Sequence, residues 1–174
     1  MTDRVTAEVA ALGLRPVRDD DAAGLTTLIG GVYAEYPGCV LDLDGVDADL
    51  HAMASYLAGL GGQMWLKEAG AGLAACVGWA PATVRGDPAV ELKRLYVAPD
   101  HRRQGLGRRL VELVEAVAEG RGVAVVELWS DQRFTNAHAL YARLGYARQP
   151  ETRQLNDPSD TTELHFVKHV TPRQ

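Results

Sequence analysis

The stretch that most restricts the fold lies between residues 89 and 130. It reads "AVELKRLYV", then "HRRQGLGRRLVELVEAVAEG" from 101 to 120, then "GVAVVELWS". Leu106, Leu110, Leu113, Val114 and Val117 recur at i, i+4, i+7, i+8 and i+11, so a helix from about Gln104 carries one apolar stripe. Gly120 is expected to end it. "GVAVVELWS" is a continuous apolar run of strand length, the type buried on both faces of a sheet. A strand, a one-sided helix and a fully buried strand in succession leave few arrangements other than a sheet covered by helices.

The rest of the chain fits around that unit. "LRPV" reads as a short strand, and "DDDAAGLTTLIGGVYAEY" as a helix opened by acids, which suit a positive helix start. "PGCVLDLDG" is a loop. "VDADLHAMASYLAGL" is a second helix, with Val46, Leu50, Met53 and Leu57 on one face. "GGQMWLKEAG" and "AGLAACVGWAP" are two strands joined at "EAGAG", and "VRGDP" turns the chain into the third. "TNAHALYARLG" is a short helix ended by Gly145. The tail gives two strands around "NDPSD". The order is βααβββαβαββ, an α/β chain with a mixed sheet and helices on both faces, expected as one domain over residues 1–174.

Composition removes several classes. Hydrophobic residues make up 47% and charged residues 24%, ordinary for a globular protein. The formal net charge of -5 argues against general nucleic-acid binding. Cys39 and Cys76 lack metal-ligand spacing and read as reduced core thiols, so no metal and a cytoplasmic location are expected. "MTDRVTAEVA" is not a secretory signal, and "AGLAACVGWAPA" is too short to span a bilayer, so no membrane role is expected.

The start of the 104–120 helix carries the chemistry. Residues 101–109 hold four arginines and two glycines. The first turn of a helix has unpartnered N–H groups and about half a positive charge. Gly105 and Gly107 block nothing, and Arg102, Arg103, Arg108 and Arg109 add cations able to grip phosphate oxygens in pairs. Together they suit a pyrophosphate. The plain alternative is a solvated helix start, but arginines there oppose the dipole and cost stability unless an anion is near. No GxxxxGK[ST] is present. The dinucleotide pattern GxGxxG fails at Leu110, and the lead-in from Val97 is too long for its tight turn. Glu127 sits near the distance of a ribose-binding acid, so a nucleotide-dependent oxidoreductase stands as a poor alternative.

At these residues the chain resembles the GNAT superfamily of acyl-CoA-dependent N-acetyltransferases. "RRQGLG", Arg102 to Gly107, matches that family's [RQ]xxG-x-[GA] signature and follows a strand and V-x-P lead-in, "LKRLYVAPDH". "NAHALYARLGY", Asn136 to Tyr146, is similar to its second signature, N-x-x-A-x-x-LY-x-x-x-GF, with Tyr146 in place of the last aromatic. The resemblance implies acetyl-CoA as cosubstrate, held by Arg102, Arg103, Gln104, Gly105, Leu106, Gly107, Arg108 and Asn136. In "AVELKRLYV" the apolar phase slips between Val90/Leu92 and Leu95/Val97, as a β-bulge would make it. The family's bulge frees backbone on Leu95, Tyr96 and Val97 for the pantetheine arm, with the Val97 N–H as donor to the thioester carbonyl.

The resemblance also implies roles for two side chains. Glu91 would be the general base that takes the amine's proton; its plain reading is a surface glutamate paired with Lys93. Tyr141 would protonate the departing thiolate; from periodicity alone it is a core aromatic beside Ala137, Leu140 and Leu144. Asn136 also reads as a helix cap, and His165 as a strand residue. For the acceptor, a small-molecule or peptide amine, Tyr36, Asp42 and Asp44, with Tyr33 and Glu35, are the candidates in "VYAEYPGCVLDLDGVDADL"; the bland alternative is an acidic loop. A homodimer is left open. The function implied is direct transfer of an acetyl group to a primary amine in a ternary complex, and the alternative is a non-catalytic acyl-CoA sensor on the same fold.

Overall fold

The computed structural model describes residues 3–172, so the outermost residues of the 1–174 span lie outside it. The elements are α1 (Asp3–Leu12), β1 (Leu14–Pro16), α2 (Ala22–Tyr33), α3 (Met53–Gly59), β2 (Gln63–Ala69), β3 (Gly72–Val84), β4 (Asp87–Val97), α4 (Leu106–Gly120), β5 (Val125–Asp131), α5 (Thr135–Arg143), β6 (Ala147–Gln154) and β7 (Thr162–His169). The strands form one mixed sheet in the order β1-β2-β3-β4-β5-β7-β6. Only β4 and β5 run parallel, across the connection made by α4. The expected mixed α/β sheet is the sheet observed.

Turn chemistry sets the meander. Gly70, at φ +57, lies in the two-residue link from Ala69 to Gly72. Arg85 and Gly86 both take positive φ between the paired Val84 and Asp87, the geometry that matches strand twist in a tight hairpin.

Each face of the sheet has its own core. On one, α4 lays Leu110, Leu113, Val114 and Val117 against Trp65, Val77, Val90, Leu92 and Leu128, with Tyr141 of α5 in the same cluster. On the other, Leu25 and Ile29 of α2 and Met53 and Leu57 of α3 pack on Met64, Leu66 and Cys76. The alternation of Met64, Trp65 and Leu66 between the two clusters is the strand period of two made visible. Burying one such side chain contributes roughly 1.5–3 kcal/mol.

One expectation needs correction. The element order begins with a helix, α1, that the βααβββαβαββ reading lacks. It buries Val5 and Leu12 against α4, and the Lys67 ammonium caps its end on the Leu12 carbonyl at 2.7 Å. Gly120 ends α4, as expected. The turn is made by Gly122 at φ +72, while the Val123 N–H reaches back to Ala118.

Candidate active site

The site begins where two strands part. β4 and β5 pair from Ala89/Val125 to Leu92/Leu128 and no further. Beyond Leu92, β4 bulges: Lys93 faces Gly78 and Tyr96 faces Cys76, so Arg94 and Leu95 share the single partner Val77. The phase slip in the sequence is this bulge. Past it, β5 stays with β7 through Asp131, so a wedge opens between Lys93–Val97 and Trp129–Asp131. The Ala98 N–H donates to Ala74 on β3 at 2.8 Å, so strand alternation turns the Val97 N–H toward the wedge.

Arg94 holds the bulge. Its φ of +52 costs a residue with a side chain about 1–2 kcal/mol. Against that, its guanidinium donates to Asp47 at 2.7 Å and to Asp49 at 2.6 Å, and its carbonyl accepts from the Cys76 thiol at 3.1 Å. Charge-assisted hydrogen bonds of about 1.5–3 kcal/mol each outweigh the strain. Burial pushes the Cys76 thiol up to about 12, so it stays protonated.

The wedge opens into a cleft of about 1690 Å³. Its lining includes Leu95, Tyr96 and Val97, and also Arg102, Arg103, Gly105, Leu106, Gly107, Arg108, Asn136 and Tyr141. Both resemblance motifs therefore converge on one space. Gln104, though exposed in the same loop, does not line it; its side chain turns back to the Asp100 carbonyl at 3.4 Å. Gly105 caps α4 at φ +78, a conformation that favours glycine. At Gly107 an added Cβ would meet Leu140 and Val97 at ordinary contact distance, so the protein itself does not require that glycine.

The arginines are less free than the sequence suggested. Arg102 grips Glu35 with two bonds of 2.7 and 2.6 Å and donates to the Val97 carbonyl at 2.9 Å, which holds Glu35 below its usual pKa. Arg108 pairs with Glu112 and Arg109 with Glu8 of α1. Carboxylates thus offset part of the dipole conflict, and Arg109 faces away from the cleft lining toward α1.

The two side chains expected to act in the chemistry, Glu91 and Tyr141, both line the cleft. Glu91 lines the cleft, half-buried, with the Lys93 ammonium at 3.1 Å. Its ladder neighbour is Glu127, which accepts from or donates to His165 Nε2 at 2.7 Å. Burial, then the charge of Glu91, raises the Glu127 pKa despite His165. His165 is buried, stacks on Trp129 at 4.3 Å and 5°, and its Nδ1 makes no hydrogen bond among the described residues, with the Glu151 carboxylate 4.0 Å away. Sequence reading missed Glu127 and His165 as a unit, yet a charged residue inside a strand buried on both faces needs a partner. Tyr141 is 5% exposed and packs on Tyr146 and Phe166; burial raises its pKa, so the hydroxyl is protonated near neutrality.

On the acceptor side, Tyr36 lines the cleft and packs on Phe134 at 4.7 Å. Asp42 and Asp44 are not among the lining residues. Asp42 turns into its own loop, accepting from the Val46 N–H at 3.3 Å. Asp47 and Asp49 stand in the wall instead. Asn136 lies one residue inside α5, whose cap position is Phe134, so it is not the cap; its side chain lies beside the Tyr36 hydroxyl. Cys39 and Cys76 are both free. No helix among the described residues is long and apolar enough to cross a membrane.

Comparison with known proteins places the chain in a family. Residues 34–146 match the model of the Acetyltransferase (GNAT) family. The chain belongs to that family. It is 30% identical over 117 residues to N-acetyltransferase 8 of Rattus norvegicus, covering 65% of this chain and 53% of that one. Over 74 residues it is 40% identical to the [ribosomal protein bS18]-alanine N-acetyltransferase of Escherichia coli K12, 41% of this chain and 49% of that one. It is 34% identical over 85 residues to an aminoglycoside N(6')-acetyltransferase type 1 of Acinetobacter genomosp. 13, 48% and 49%. The chain spans about half the length of these curated relatives. Among solved structures, a GNAT-family acetyltransferase from Staphylococcus aureus Mu50 has the same fold, with a TM-score of 0.71 at 15% identity over 90% of this chain and 98% of that one.

Proposed function

We propose that the chain is an acetyl-CoA-dependent N-acetyltransferase acting on a primary amine in a ternary complex. The observation that carries this is the end of the β4–β5 ladder at Leu92/Leu128, which leaves backbone donors of a bulged strand beside both signature motifs. The residues fit the cosubstrate: Gly105 and the first turn of α4 suit the pyrophosphate, with Arg103 and Arg108 exposed beside it. Arg102 would serve it by exchanging Glu35 for phosphate. Leu95–Val97 and Asn136 flank the pantetheine path. Acetyl-CoA supplies an acetyl group activated as a thioester.

The chain's residues then divide the proton work. The Val97 N–H polarises the acetyl carbonyl. Glu91 takes the proton lost as the amine nitrogen bonds to the acetyl carbon, and the Glu127–His165 pair stands behind it. Tyr141 gives its proton to the sulfur as the carbon–sulfur bond breaks. A family composed of named acetyltransferases supports the activity, and the placement of Glu91 and Tyr141 on the cleft wall supports the roles. The cosubstrate half is tested by thermal denaturation. At about 100 times its dissociation constant, acetyl-CoA should add roughly 2.7 kcal/mol, a shift of about 5–10 °C for a chain of this size. An equal shift with NAD, or none with acetyl-CoA, overturns the assignment.

A further inference from the structure

We infer that Glu127 and His165 are positioning residues for the proton transfer: as a pair without net charge, they leave Glu91 as the one carboxylate open to the amine's proton. The inference rests on the transferase reading and deepens its account of the base. Leu92 and Leu128 turn toward α4, so their neighbours Glu91 and Glu127 project from the opposite face of the sheet. Paired strands lie only about 4.8 Å apart. Two bare carboxylates at such spacing repel, and one of them takes up a proton. On its other side Glu91 meets only Ala80 of β3.

Each carboxylate has a partner of its own. Lys93 donates to Glu91 at 3.1 Å. Glu127 lies 2.7 Å from His165 Nε2, and these two side chains are 9% and 8% exposed. Burial disfavours a net negative charge on the pair, and the charge of Glu91 beside it disfavours one further; the same two causes raise the Glu127 pKa. The pair is therefore neutral, as carboxylic acid with imidazole or as carboxylate with imidazolium. Trp129, a cleft residue, stacks on the imidazole and holds the ring in place. The other charges on this face are matched. Glu151 of β6, 4.0 Å from Nδ1, is held by Arg85 of the β3–β4 turn. Glu163 of β7 is held by Arg153, which lies over Trp129, and Asp131 of β5 by Arg133. His169 lies exposed, two residues beyond Val167, the β7 partner of Glu127. Without His165, Glu91 and Glu127 would divide one proton, and the base would be occupied over a wider span of pH.

The test follows the Glu91 and Glu127 carboxyl carbons and the His165 ring nitrogens by NMR as pH is varied, beside the kcat/KM profile. In the parent, the Glu127–His165 pair should neither gain nor lose a proton while Glu91 titrates. In His165→Gln, the Glu91 titration and the kinetic limb should move up by about one pH unit or more. Adding Glu127→Gln to that variant removes the competing carboxylate and should return both to the parent's pH. A purely structural pair would lower Tm in both variants and leave the titration in place, which overturns the inference. So does a pair that titrates together with Glu91 in the parent, a result that needs no substitution to fold. Turnover of no primary amine sinks the transferase reading, while the carboxyl titrations still decide this one.

Discussion

Tyr141 and Glu91 bear the most specific expectations at the scale of single residues. Tyr141→Phe keeps the ring against Tyr146 and Phe166 and removes only the hydroxyl. If that hydroxyl protonates the leaving sulfur, kcat falls by roughly 10²–10⁴-fold with stability and CoA affinity kept. Unchanged kcat would return Tyr141 to a packing role. For Glu91, kcat/KM should rise with pH through one limb, and Glu91→Gln should abolish that limb and cost about 10²–10⁴-fold. Loss of the Lys93 pair alone is worth about 0–1 kcal/mol, so activity within a few-fold of the parent means a structural ion pair. Glu127 adds a stability test. Its folded pKa is raised, so its contribution is complete at low pH and is lost as pH rises through the raised value. Denaturant titrations of Glu127→Gln across pH should therefore show the variant gaining on the parent as pH rises. A gap that widens in the parent's favour would contradict the burial argument.

On the proposed function, cosubstrate binding turns on the α4 loop. Gly107→Glu should abolish CoA binding with the fold intact, since the protein leaves room for a side chain there and only the ligand competes for it. Gly105→Ala should instead cost roughly 1–2 kcal/mol of stability, because φ is +78. If calorimetry shows Gly107→Glu binding like the parent, the anion site lies elsewhere. At this scale the sequence was readable wherever the cause was local. The α4 stripe, the Gly145 stop and the bulge in "AVELKRLYV" all follow from spacing. α1 carries its signal too, in Val5, Val9 and Leu12 at helical intervals. The holder of the bulge was not readable. Arg94 meets Asp47 across 47 positions, and nothing in the acidic segment distinguishes Asp47 and Asp49 from Asp42 and Asp44 until the chain folds.

The whole molecule is a sheet split along one seam. β3 holds β4 and β7 holds β5, while α4 packs on both. Salt bridges from Arg94 and Arg102 tie the segment after α2 to β4 and the loop that follows it. The wedge thus belongs to the fold, and the catalytic claim depends on what enters it. The most direct measurement incubates the protein with isotopically labelled acetyl-CoA and a panel of primary amines and follows the label by mass spectrometry. The account predicts labelled N-acetyl amide and free CoA in equal amounts, both suppressed in Tyr141→Phe and absent in Gly107→Glu. Acetyl-CoA bound but returned unchanged in the presence of amines of every charge class would contradict it.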